Sequence, residues 1–199
     1  MLASYLEAFP GLEPEDVSRL ASALRSNGEI SDEHFLAMLP YFVVMHHERG
    51  ERIVDGSRFY GYFLVSGAAR RFDTVTDATL ELCPAGDILL HYSEPRELAD
   101  GIEFVSSSRV VAFTHEGRRE ILTRFPDLHP IDSNLLSRKL VEKDRIQSIR
   151  ALPARERIEC IEREFAPLFG AVPQYLIADL FGVSAEHFSR LRRLAGEAS

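Results

Sequence analysis

The side chains best suited to chemistry fall in the stretch LIADLFGVSAEHFSRLRR, Leu176 to Arg193. If the residues after Ser184 form a helix, Glu186, His187, Ser189, Arg190 and Arg193 make up the face left over once the apolar positions turn inward. In a DNA major groove that set has defined uses. Arginine grips guanine through two acceptors, glutamate accepts from a cytosine amino group, and serine bonds base edges or phosphate. Gln174, at the start of the preceding helix, can hold a phosphate together with the backbone N–H groups exposed there. A packed helical hairpin with a solvated outer face is the plain alternative, and in it Glu186 is a first-turn acid complementing the helix dipole.

The elements that would hold this face are legible around it. Pro173 fits the first turn of a helix carrying Leu176, Ile177 and Leu180 inward, and Gly182 can take the left-handed conformation that ends it. Val183 packs inside the turn, Ser184 caps the next helix, and Phe188 and Leu191 face back at i and i+3. Two short helices at a steep angle about a glycine turn form the helix-turn-helix pattern.

Other reactive residue types are scattered. His91 and Tyr92 can line a pocket for a small-molecule effector, although a lone histidine on a half-buried strand equally suits a hydrogen-bonded packing role. Arg96, between Pro95 and Glu97, suits a surface salt bridge. His46 and His47 point to opposite faces of a strand and do not share a metal easily. The seven histidines include no His-x-His pair and no acid at ligand spacing, so neither a metal site nor a catalytic site is expected. Cys83 and Cys160 lie far apart without metal-ligand spacing and read as reduced packing residues. Four-cysteine iron–sulfur ligation from one chain is excluded, and nothing beyond residue type specifies haem.

The chain has 199 residues, 45% of them hydrophobic, enough for one large domain or two modest ones. Its formal net charge of -8 argues against indiscriminate nucleic-acid binding but leaves room for one small DNA-binding face. No run approaches the roughly 18 apolar residues of a membrane helix, and the start lacks the basic character of a secretory signal, so a cytoplasmic setting and no membrane partner are expected. Helices are expected up to about Leu39, with Pro14 in a first turn and Ser31 as a second start. From Tyr41 to Thr114 short β-branched and aromatic runs, divided at Gly50, Gly56, Gly67 and Gly86, predict an all-β sandwich or barrel. A short helix stopped by Pro126 follows, and then a helix of some twenty residues begins at Pro130. Leu128, Ile131 and Leu135 keep heptad-like spacing there, as do Ile146 and Ile149, with Arg138 and Glu142 interrupting the stripe. Pro153 places a domain boundary at residues 150 to 153.

This order of parts resembles the Crp/Fnr family of bacterial transcription regulators from about Ile30 onward. ERGERIVDGSRFYGYFLVSGAARRF is similar to the family's lead into its β-roll, CPAGDILL to its Pro-x-Gly-Asp corner, and ARERIECIEREFAPLFGAVPQYLIADLFGVSAEHFSRLRR to its C-terminal domain. The resemblance implies an α+β chain. Residues 1–126 would form a helical N-terminus and an effector-sensing, cupin-like double-stranded β-roll, 127–152 a long dimerisation helix, and 153–199 a helix-turn-helix domain. It places Glu186 and Arg190 on base-reading positions, with Ser184 and Ser189 alongside, and Ala185 where DNA-reading members often carry arginine. Only six residues follow Arg193, so no C-terminal wing hairpin is expected. Cyclic-nucleotide binders of the family carry Gly-Glu-Leu after the corner and an arginine with a small hydroxyl residue about ten positions later. Here His91 stands near the carboxylate position and no Arg-Ser or Arg-Thr pair follows, so cyclic AMP is not the expected ligand.

Three functions compete at this point. A dimeric regulator would bind a palindromic double-stranded DNA operator and, through it, act with RNA polymerase. A cupin-like small-molecule-binding module would use the helical tail for interaction, and an enzyme would need ligands clustered inside the barrel.

Overall fold

The computed structural model describes residues 13–54, 58–91 and 100–196. Helix α1 (Pro14–Arg25) opens with Pro14 in its first turn and a reciprocal capping box between Glu13 and Asp16. Helix α2 (Asp32–Met38) starts where Ser31 accepts a hydrogen bond from the His34 N–H at 3.1 Å. Both starts agree with the sequence reading.

Among the described residues eight strands follow: β1 (Phe42–His47), β2 (Arg52–Ile53), β3 (Phe59–Ser66), β4 (Ala68–Asp73), β5 (Thr79–Pro84), β6 (Ile88–Leu90), β7 (Asp100–Phe104) and β8 (Ser108–Thr114). They form two antiparallel four-stranded sheets, ordered β1-β8-β3-β6 and β2-β7-β4-β5. Early strands pair with late ones in both sheets, which rolls the chain up on itself. Gly67, at the β3–β4 corner, has φ +81°, and a Cβ there would lie 2.3 Å from the Ser108 hydroxyl. Gly50 and Gly86 also take positive φ, whereas Gly56 lies outside the described residues. The corner reading of the glycines therefore holds where it can be seen.

Strand β3 is buried on both faces, which explains its nearly continuous apolar run. Tyr62 and Leu64 point into the roll against Ile102, Phe104 and Val110. Phe63 and Val65 point outward into a second cluster built with α1, α2 and helix α3 (His115–Arg124).

The long helix α4 (His129–Arg150) has Pro130 in its first turn, as expected. Its apolar stripe is a correction to the heptad reading. Leu128, Ile131 and Leu135 pack on the roll's outer cluster, and Ile146 and Ile149 join the C-terminal core, so the stripe is filled inside the chain and is not a free coiled-coil seam. Arg138 is exposed and reaches across to Asn27 and Ser26, Glu142 is half-buried, and the buried Lys139 between them is a further polar position on the inward side. The opposite face exposes Leu140 and Val141, at 58% and 69%.

After Pro153 come α5 (Ala154–Glu164), α6 (Gln174–Leu180) and α7 (Ala185–Gly196). Their apolar faces close around Ile158, Ile161, Leu176, Ile177, Phe181 and Phe188. The same cluster takes in Ala68, Leu82 and Val105 of the roll, so the helical unit is packed against the β2-β7-β4-β5 sheet.

Candidate nucleic-acid interface

Helix α6 buries Leu176, Ile177 and Leu180 almost completely. Gly182 ends it at φ +65°, the left-handed conformation that favours glycine. The Val183 N–H then bonds back to the Ala178 carbonyl at 2.9 Å, closing the turn. Arg157 reaches from α5 toward the Phe181 and Gly182 carbonyls at 3.4 and 3.5 Å, so part of the helix terminus is satisfied by a charge from a neighbouring element. The Ser184 hydroxyl accepts from the His187 N–H at 3.2 Å and caps α7. Phe188 is fully buried and lies parallel to Phe169 at 6.3 Å, while Leu191 packs beside it. These contacts fix how α7 is rotated about its axis.

That rotation leaves Glu186, Ser189, Arg190 and Arg193 exposed, with Ser184 at the cap and Gln174 exposed at the start of α6. His187 is half-buried at the edge of the face, its Nδ1 accepting from an Arg190 amino group at 3.2 Å, since a guanidinium only donates. Arg192 lies outside the row: it pairs with Glu162 at 2.8 Å and stacks over the Phe169 ring at 4.3 Å. A glutamate and two arginines at i, i+4 and i+7 thus share one solvent-facing side of a capped helix, the set that direct major-groove readout uses.

The effector-pocket residues fare differently. His91 is buried at 5% exposure, its N–H bonded to the Tyr60 carbonyl at 2.9 Å and its Nδ1 without a partner among the described residues. Burial first, then the charges of His115 and Arg71, hold its pKa below the ordinary histidine value, with Asp100 opposing. Tyr92 and Arg96 lie outside the described residues. An apolar cavity of about 80 Å³ lies outside the roll, between β3, α1 and α4, and His91 is not among the described residues that line it.

Sequence reasoning missed the charged chain inside the roll. Arg71 on β4 pairs with Glu81 on β5 at 3.1 Å and with Asp100 at 3.7 Å. Glu81 in turn meets Lys139 of α4 at 2.8 Å, and Lys139 reaches Asp87 and Glu142 at 3.5 and 3.6 Å. Arg71, Glu81 and Lys139 are all buried. Burial alone would lower the Lys139 pKa, but the surrounding negative groups, Glu81 foremost among the carboxylates, outweigh it and hold the ammonium above its ordinary value. The available signal was the spacing of Lys139 from Leu135 and Glu142, which puts a cation on the inward stripe.

His46 is exposed while His47 is buried against Phe104, their ring centroids 3.9 Å apart, so the two diverge as expected. Cys83 is buried and burial raises its thiol pKa well above the usual value. Among the described residues no group of three or more His, Cys, Asp or Glu is arranged to hold a metal, and no helix is long and apolar enough to cross a membrane.

No protein-family model and no curated protein matches the sequence. Solved structures do. FixK2 from Bradyrhizobium japonicum superposes with a TM-score of 0.70 at 16% identity, covering 79% of this chain and 85% of that one. The c-di-GMP responsive global regulator CLP of Xanthomonas campestris gives 0.61 at 15%, covering 84% and 93%. A transcriptional regulator ascribed to the crp/fnr family from Eubacterium rectale gives 0.60 at 15%, covering 83% of each chain. Rolled sheets, long helix and terminal helix pair together give this chain the Crp/Fnr-like fold.

Proposed function

We propose that the chain is a dimeric, sequence-specific regulator of transcription that binds double-stranded DNA through α7. The observation that carries this reading is the exposed row Glu186, Ser189, Arg190 and Arg193 on a helix capped by Ser184 and rotated into place by the buried Phe188. Arg190 and Glu186 read base edges, while Gln174, Ser184, His187, Ser189 and Arg193 fix register on the backbone and groove edges. Two copies joined along the outer side of α4, where Leu140 and Val141 are exposed, present two such helices to half-sites about one duplex turn apart. Residues 1–126 act as the sensing unit, 127–152 as the dimerisation helix and 153–199 as the DNA-binding unit, working inside the cell with RNA polymerase as the downstream partner. The roll senses something other than a cyclic nucleotide, since His91 stands near the position where such binders carry a carboxylate and no Arg-Ser or Arg-Thr pair follows it.

Binding to an operator should weaken roughly 5- to 150-fold on Arg190→Ala, from about 1–3 kcal/mol per bidentate base contact. Unchanged affinity would overturn the assignment. The net charge of -8 favours one other reading, a small-molecule-binding module that never touches DNA. Failure to shift any genomic fragment at low salt would favour it.

A further inference from the structure

Among the described residues strand β5 is the last strand of the β2-β7-β4-β5 sheet, so part of its backbone has no strand neighbour there to bond. At Thr79, which is fully buried, those groups are met from outside the roll. The Thr79 N–H donates to the Asp179 carboxylate at 2.7 Å, a hundred residues away on α6. Arg150, the last residue of α4, donates from Nε to the Leu180 carbonyl at the end of α6, at 2.7 Å, and extends its other arm to the Thr79 carbonyl at 3.4 Å. Three elements, β5, α4 and α6, thus meet at one residue. The roll holds that residue firmly from its own side: the buried Arg70 donates to the Thr79 hydroxyl at 3.2 Å and is itself fixed by Glu103 at 2.6 Å and Asp77 at 3.1 Å. Leu82 of β5 and Ile149 of α4 pack into the same apolar cluster as Ile177 of α6.

We propose that Asp179 and Arg150 are positioning residues: they dock α6 on the edge of the roll and so set the direction in which α7 presents its reading face. Neither residue belongs to that face. This inference rests on the DNA-reading function above and adds a geometric requirement to it. A helix pair hanging only from the 150–153 connection would swing, and a swinging pair tolerates half-sites at several separations. A docked pair demands one separation, because each inserted base pair moves a half-site by about 3.4 Å along the axis and turns it by about 35°.

The experiment measures affinity of the full-length protein for its operator and for versions with one or two base pairs inserted between the half-sites. Wild type should lose on the order of tenfold or more per insertion, a binding difference of about 1.4 kcal/mol or more. Asp179→Leu should flatten that series to within roughly twofold, while its preference among bases within a half-site stays unchanged. Asp179→Asn keeps an acceptor oxygen for the Thr79 N–H and should keep wild-type spacing, which separates positioning from a general loss of folding. Amide hydrogen exchange at Thr79 gives a second readout that needs no DNA: protected in wild type and Asp179→Asn, faster in Asp179→Leu. An Asp179→Leu protein that discriminates spacing as wild type does, or keeps Thr79 equally protected, overturns the inference. If wild type binds no DNA, the DNA reading falls, and with it the role in presentation; the exchange result then judges the docking by itself.

Discussion

Replacing Lys139 by methionine removes the charge at the centre of the buried chain while keeping most of the side-chain volume. Lys139 is 7% exposed at its side chain and lies 2.8 Å from Glu81, which is itself 5% exposed. Taking away one partner of such a pair leaves a buried carboxylate undercompensated, a loss of about 3–5 kcal/mol. Arg71, 3.1 Å from the other Glu81 oxygen, still neutralises part of that charge, so the lower end, about 3 kcal/mol, is expected. Asp87 adds little, because its side chain is 44% exposed. For a chain of this size the loss corresponds to a fall in Tm of about 6–12 °C. Urea unfolding of wild type, Lys139→Met, Glu81→Gln and the double variant measures it, and the double variant should recover a coupling of about 2 kcal/mol. The deficit also has a pH signature. Burial already raises the Glu142 pKa and Lys139 opposes that rise, so removing the ammonium raises it further. A carboxyl with a raised folded pKa loses stability as pH rises through that value, so the deficit should be smallest in acid. A Lys139→Met protein within 1 kcal/mol of wild type, with additive double-variant effects, would refute this account of how α4 is held to the roll.

Three further outcomes follow from other parts of the chain. Gly67→Ala should cost several kcal/mol, because the residue sits at φ +81° and the added methyl would meet the Ser107 carbonyl at 2.5 Å; a stable, soluble Gly67→Ala protein would contradict the corner geometry. His91 and His115 both have folded pKa values held below 6.5, chiefly by burial, so they favour the folded state above pH 6.5 and that stability is lost as pH falls through the lowered values. His91→Gln should therefore flatten the pH dependence of urea stability below 6.5, and an unchanged slope would remove His91 from the explanation. Phe188→Ala should cost about 3–5 kcal/mol and loosen the C-terminal cluster, read by faster amide exchange in α6 and α7 and unaltered exchange in β3.

How far the sequence was legible depended on how local the determining contacts were. The helix pair could be read because Gly182, Ser184 and the apolar positions of α6 and α7 act within a few residues of themselves. The roll was legible through its glycine corners and the texture of its strands, and the Crp/Fnr resemblance supplied the order of the parts. The partner of the α4 stripe could not be read. An apolar stripe states only that something covers it, and here the cover is the chain's own roll and C-terminal core rather than a second helix. The two arginines of AARRFD are ordinary strand residues on paper, yet both are buried. Their partners Glu103, Glu81 and Asp100 reside on neighbouring strands, and Lys139 completes the chain from α4. Only the folded register brings such charges together. The contact between Asp179 and Thr79 is more distant still, and no periodicity announces that a sheet edge will be closed by a helix near the chain's end.

The central claim is that α7 reads DNA, and selection of bound sequences from a random duplex pool tests it most directly. Purified protein should enrich an inverted repeat with half-sites about one turn apart, and Arg190→Ala should lose the preference at one base pair of each half-site while retaining the rest. A pool that stays random after repeated rounds at low salt would contradict it.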